Sequence, residues 1–256
     1  MKVGSLKTLC RRAPIRRDDS SPLAESVYQA LLQRLLTGQL PSGTVVNELS
    51  LAGELGVSRT PVHDAVRQLV KDGLVVPESG RRSRVAVFGA DDIHEIFELR
   101  KYLEGPAAEL AAGRMDRRHL APLRAAAEAL LGDPDAPDWV ARWAEFDELF
   151  HRTIALASGN RRLANDIDRY RLLHKGFNRI STDATSLRQA MQEHLAILDA
   201  LEARDGPRAR EQMVAHITVW QEFFLRRLYA ATGPSADRAD DFVSVRGVRA
   251  KRKDRQ

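Results

Sequence analysis

The chain has 256 residues, 43% hydrophobic and only 6% aromatic, with 40 Lys/Arg against 35 Asp/Glu. That length allows two modest domains or one large one, and no run of apolar residues reaches the roughly 18 that a membrane span needs. A single cysteine, Cys10, excludes an internal disulfide, and an N-terminus interrupted by Lys7 makes no signal peptide, so a soluble cytoplasmic protein is expected.

The net charge of +5 sits at the two ends. Residues 1–20 carry six Lys/Arg against Asp18 and Asp19, and residues 231–256 carry seven against four Asp, which leaves the body near −2. Residues 1–20 read as a disordered basic arm and residues 231–256 as a disordered basic tail.

Between these ends the chain divides in two. For residues 21–88 the spacing predicts a helix from Ser21-Pro22, where Ser21 is the N-cap and Glu25 favours the helix dipole, with Leu23, Val27, Ala30, Leu31 and Leu35 as its apolar stripe and Gly38 as its stop. A short helix follows over 48–55. The turn Gly56-Val57-Ser58 leads into a further helix reaching about Asp72 and closed by Gly73. Two β-branched runs, Val75-Val76 and Val85-Val87, flank a basic, glycine-containing loop and predict a hairpin. From Asp91 the pattern changes to amphipathic helix over 91–112, 116–131, 138–157, 162–179, 186–203 and 207–229. Short breaks between helices of this length predict an antiparallel all-α bundle of about six helices over residues 91–230. The fold expected is mainly α, a winged helix-turn-helix followed by that bundle.

Val62, Ala65, Val66 and Leu69 form the inward stripe of the helix that opens at Arg59. Arg59, Thr60, His63 and Arg67 are therefore turned outward or to the flank, where the second helix of a helix-turn-helix meets the major groove. An arginine bonds the two guanine acceptors in bidentate fashion, and a threonine meets a phosphate or a thymine methyl. Arg81, Arg82 and Arg84 give the hairpin a basic tip suited to phosphates or the minor groove. The plain alternative is an ordinary helix pair with solvated charges. The basic hairpin directly after it argues for DNA.

Residues 23–88, and in particular "ELSLAGELGVSRTPVHDAVRQLVKDGLV", resemble the N-terminal domain of the GntR family of bacterial transcription factors without a gap. The resemblance implies that Arg59, Thr60, His63 and the wing residues Ser79 and Gly80 contact an operator. His63 stands where the family usually has a guanine-reading arginine, and Leu49 where some members place a DNA-contacting arginine. Both departures bear on which operator is read.

In "WVARWAEFDELFHRTIALASGN", Asp147 and His151 stand four apart on the helix face that also holds Trp143 and Ile154. His194 lies between Met191 and Leu198, and His216 between Met213 and Trp220, each at inward helical spacing. One inward histidine is ordinarily a core residue with a single hydrogen bond. Three on separate helices, with an aspartate one turn from one of them, suit a divalent metal with positions left for water or an anion. Arg100 follows Ile93, Ile96 and Phe97 on an apolar face, so its charge needs an anionic partner. Glu104 one turn on and a ligand carboxylate both remain open. His174 lies with Tyr170 and Phe177 as a candidate pocket residue, and His94 and His119 read as surface residues.

This set resembles the FCD ligand-binding domain of the FadR-type branch of the GntR family: Asp147/His151, the Ser158-Gly159-Asn160 turn, Glu193-His194, His216, and "ELRKYLEGPAAELAA" as its first helix. The resemblance implies that Asp147, His151, His194 and His216 bind zinc, with nickel or manganese as alternatives, and that the effector is a small organic acid; Arg100 and His174, by their own placement, are the candidate effector contacts. The expected function is a homodimeric, effector-responsive repressor on a pseudo-palindromic double-stranded operator. The alternatives are a metal-dependent hydrolase-like enzyme, against which no HExxH occurs, and a DNA-binding protein whose metal is purely structural.

Overall fold

The computed structural model describes residues 22–78, 82–177 and 184–232. Helix α1 (Pro22–Leu36) buries Ala24, Val27, Tyr28, Leu31 and Leu35, with Glu25 and Arg34 placed to suit the helix dipole. Leu23, expected on the stripe, is 49% exposed. The buried Tyr28 ring instead sets the rotation of the helix, and its hydroxyl donates to Asp72 Oδ2 at 2.6 Å. Strand β1 (Val45–Val46) precedes α2 (Glu48–Leu55), whose N-cap Asn47 accepts from the Leu49 and Ser50 amides. After the Gly56 turn, α3 (Arg59–Lys71) buries Pro61, Val62, Ala65, Val66 and Leu69 against α1 and α2.

Strands β2 (Val75–Glu78) and β3 (Arg82–Val85) form the expected hairpin, in register Val75↔Val85 to Glu78↔Arg82. Strand β1, which the periodicity does not predict, joins the other edge of β3 through Val45↔Arg84 and Val46↔Ser83 and makes an antiparallel sheet of order β1-β3-β2.

The remaining described helices are α4 (Ala90–Ala112), α5 (Arg117–Gly132), α6 (Trp139–Ala157), α7 (Arg161–Phe177), α8 (Ala184–Glu202) and α9 (Gly206–Thr232). Their bounds fall within three residues of those read from periodicity. α4 runs along α9 and also touches α6, α7 and α8, so it is the central rod of the bundle. The closeness of α4 and α9 depends on Gly105: a Cβ there would lie 2.8 Å from Val214 Cγ2. One continuous apolar core links head and bundle, from Val27 and Val62 through Phe97 to Ile217 and Phe224. Its anchors are fully buried aromatic and aliphatic side chains, each contributing roughly 1.5–3 kcal/mol on removal from water.

Candidate DNA-reading face and metal centre

On the head, Arg59, Thr60, His63 and Arg67 are exposed along the start and outer side of α3, as the inward stripe requires. Two of them are held before any ligand arrives. Glu48, at the first turn of α2, accepts from Arg59 Nε at 3.1 Å and meets His63 Nδ1 at 2.9 Å. Burial would raise the Glu48 carboxyl, but the hydrogen bonds from His63 and Arg59 outweigh it and keep the group below the usual range. Glu48 was not singled out from the sequence. Its contact with the i-to-i+4 pair Arg59/His63 spans 11 and 15 residues of sequence and leaves no local signal.

Arg82 is exposed on β3. Arg84 is placed differently from the basic-tip expectation. It is half-buried in the sheet, with its guanidinium pairing Glu78 at 2.5 Å and also reaching the Gly43 carbonyl. It thus braces the turn before β1 against β3. Ser79, Gly80 and Arg81 lie outside the described residues.

In the bundle, α6 supplies Asp147 and His151, α8 supplies His194 and α9 supplies His216. One donor atom from each lies within 4.8 Å of the others. All three imidazoles are buried, and their ring centroids stand 4.6–5.4 Å apart. Asp147 Oδ1 faces His151 Nε2 at 3.6 Å and His194 Nε2 at 3.5 Å.

Two carboxylates from outside this set orient the rings. Glu104 Oε2 on α4 meets His151 Nδ1 at 2.5 Å, and Glu193 Oε2 meets His216 Nδ1 at 2.7 Å. Each turns the other ring nitrogen away from its carboxylate, the arrangement that metal-ligating histidines use to fix their tautomer. His151 Nε2 and both ring nitrogens of His194 are buried without a hydrogen-bond partner. A folded interior rarely leaves such groups unpaired unless something else fills the role. Burial, followed by the charge of Arg171 for His151 and of His216 for His194, holds both imidazoles well below the ordinary histidine value. They therefore present lone pairs at neutral pH. Burial alone would raise the Asp147 carboxyl, but Arg171, donating to Oδ2 at 2.6 Å, and the nearby imidazoles drive it far below the carboxylate range. The neutral imidazoles of His151 and His194, the His216 ring and the ionised Asp147 carboxylate make a donor set that fits a divalent cation of borderline softness.

Beside this set lies a cavity of about 330 Å³. Arg100, Arg171, His174 and Lys175 supply its cationic and polar wall, together with Asp147 and His216. Leu36, Trp143, Ala144 and Trp220 supply the apolar one. The two partners left open for Arg100 turn out not to exclude each other. Its Nε donates to Glu104 Oε1 at 2.8 Å, while Nη1 is buried without a hydrogen-bond partner. His174 lines the cavity, with its ring edge-on to Phe97 and Phe224. Burial and the charges of Arg100 and Arg171 keep it neutral. Tyr170 is half-buried and is not part of the wall, and the Phe177 side chain lies outside the described residues. His94 and His119 are exposed, the first beside Gln221 and the second against Asp116. Arg171 is a further residue of the site, and its sequence signal is that Ile167, Arg171 and His174 follow one another at inward helical spacing.

The family model for bacterial regulatory proteins of the gntR family matches residues 23–85, and the FCD domain model matches residues 95–219. The chain belongs to the GntR family and carries an FCD domain. This GntR-family protein is a DNA-binding transcriptional regulator and not an enzyme. It is 28% identical over 208 residues to a probable D-xylose utilization operon transcriptional repressor of Paenarthrobacter nicotinovorans, spanning 81% of this chain and 91% of that one. An HTH-type transcriptional regulator of Agrobacterium vitis, from the TAR-I ttuE-ttuC' intergenic region, is 35% identical over 140 residues, 53% of this chain and 80% of its own. The solved structure of E. coli McbR/YncC shares the fold, with a TM-score of 0.70 over 82% of this chain and all of that one at 23% identity.

Proposed function

We propose that this regulator is a homodimeric repressor whose bundle binds a divalent metal, zinc before nickel or manganese, through Asp147, His151, His194 and His216, and a small organic acid that alters operator affinity. The observation that carries this reading is the convergence of inward imidazole nitrogens left without partners beside an ionised Asp147. Bound there, the metal supplies a cationic anchor for a carboxylate. The chain's own residues do the rest. Glu104 and Glu193 fix the rings of His151 and His216, Arg171 keeps Asp147 ionised, and Arg100 offers Nη1 to a ligand oxygen while His174 closes the wall. Trp143 and Trp220 exclude water on the opposite side.

For DNA, the reading assigns base contacts to Arg59 and His63, a phosphate or methyl contact to Thr60, and backbone contacts to Arg67, Arg82 and the wing residues Ser79, Gly80 and Arg81. Arg84 keeps the wing in place. Two recognition helices about 34 Å apart in a dimer would read a pseudo-palindrome. The name of the Paenarthrobacter relative supports the direction of control, repression.

His194→Ala tests the reading. It removes the imidazole with two unpaired nitrogens, so elemental analysis of the purified protein is expected to show metal content well below one per chain, with DNA binding by the metal-free protein retained. Full metal in this variant would overturn the assignment. Arg59→Ala is expected to cost roughly 1–3 kcal/mol at one base pair of each half-site. An equal loss on all sequences would make Arg59 a phosphate contact.

A further inference from the structure

One residue of the effector cavity's apolar wall does not belong to the bundle. Leu36, in the last turn of α1, lines it together with Trp220 and Arg100, although α1 is part of the DNA-binding head. The head meets the same region a second time through α7. Leu173 is buried with its Cδ2 where a Cβ on Gly73 would lie 3.3 Å away, and Gly73 (φ +81°) is the turn that ends the recognition helix. Leu173 stands between Arg171 on one side and His174 and Lys175 on the other, and all three of those line the cavity. A short stretch of α7 therefore faces the ligand space with some residues and the head with another.

We propose that the head itself closes the effector chamber. Leu36 is a ligand-contacting residue whose side chain sets how long an acid the chamber accepts, and an acid that reaches it displaces α1 and loosens the head. This rests on the proposed function, since it takes the cavity to be a carboxylate site. The chemistry of the two walls defines the ligand class as an amphipathic acid, with its carboxylate among Arg100 and the metal ligands and its apolar end against Leu36, Trp143 and Trp220. Acids too short to reach Leu36 would bind without moving the head. A ligand shifts a conformational equilibrium only by its differential affinity for the two states, and contact with Leu36 supplies that difference in this chain.

The test uses the full chain loaded with zinc and the straight-chain carboxylates from acetate to octanoate as probes, with affinities by titration calorimetry. Leu36→Ala is expected to move the best-bound acid to a longer chain, with a gain of roughly fourfold per extra methylene accommodated, and Leu36→Trp to move it to a shorter one. Leu23→Ala, exposed on the same helix, is expected to leave the length profile unchanged. In the unsubstituted protein, hydrogen exchange of α1 and of the Gly73 turn should rise with the best-bound acid and stay at the ligand-free level with acetate. Acid binding with the same length profile in all variants, or with no change of exchange in the head, would overturn this proposal alone. Zinc-loaded protein that binds none of the acids would overturn the carboxylate-sensor reading and the proposal together.

Discussion

If Arg59 and His63 touch bases as proposed, Glu48 makes that contact a property of three residues rather than two. A carboxylate next to the phosphate backbone costs affinity, yet here it holds Arg59 and His63 in one geometry. Glu48→Gln removes the repulsion and weakens the hold. On a duplex selected by the protein from a random pool, the ratio of specific to scrambled binding is expected to fall roughly tenfold, the loss of one well-placed base contact. Binding to scrambled DNA is expected to rise, and mobility-shift titrations on both duplexes check this. A specificity ratio that stays constant would show Glu48 to be no more than a surface partner. In the bundle, Glu193 has the corresponding role for His216. Replacing such a partner costs on the order of 10–100-fold in metal affinity, so Glu193→Gln should lose that much zinc affinity in a chelator competition while keeping the melting temperature of the metal-free protein.

At the scale of elements, the α4/α9 pair shows how packing decides against propensity. Alanine is a better helix former than glycine by about 0.5–1 kcal/mol, which favours Gly105→Ala in isolation. The added methyl would meet Val214 Cγ2 at 2.8 Å and Arg210 Cγ at 3.4 Å, and a valine on a helix has almost no alternative rotamer. Overpacking of this kind costs about 1–3 kcal/mol. The variant is expected to be less stable by about 1 kcal/mol in urea unfolding, with unchanged helix content. The same competition between local signal and packing explains what could be read beforehand. Helices of fifteen or more residues carry several turns of periodicity, so their bounds were legible, and the inward positions of His151, His194 and His216 followed from their apolar neighbours. β1 was not legible because two residues after a Pro-Ser-Gly turn contain no alternation, and Val45 and Val46 become a strand only because β3 offers them an edge. The inward place of Arg84 is hidden from the sequence for a related reason. Charge pattern identifies a basic hairpin, but the partner that draws the guanidinium inward, the Gly43 carbonyl, lies 41 residues away. Helical spacing pairs Glu104 with Arg100, but the contact of its second oxygen with His151, 47 residues on, has no local signal.

For the whole molecule, the buried imidazoles tie stability to pH and metal together. His151, His174 and His194 are held neutral in the fold, well below their unfolded value of 6.5. Above that value neither state binds a proton at these rings, and their neutrality costs nothing. As pH falls below it, the unfolded chain takes up protons that the folded chain refuses, so the unfolded state gains. Each ring can then withdraw up to about 1.4 kcal/mol per pH unit. Metal-free protein should therefore show a melting temperature that is level from pH 8 to 7 and falls steeply from 6.5 to 5. Asp147 works in the same direction at lower pH, because its depressed carboxyl adds stability that is lost as pH drops below the ordinary 3.8. On the proposed metal reading, zinc would need the deprotonated donors gathered by the fold, so saturating metal should raise the melting temperature at pH 7, by an increment that grows with the logarithm of free metal. That increment should vanish on acidification, since protons and metal compete for the same nitrogens. Thermal melts across this pH range, with EDTA and with excess zinc, check the argument. Curves that stay parallel at every pH would mean that the metal binds elsewhere than at these rings.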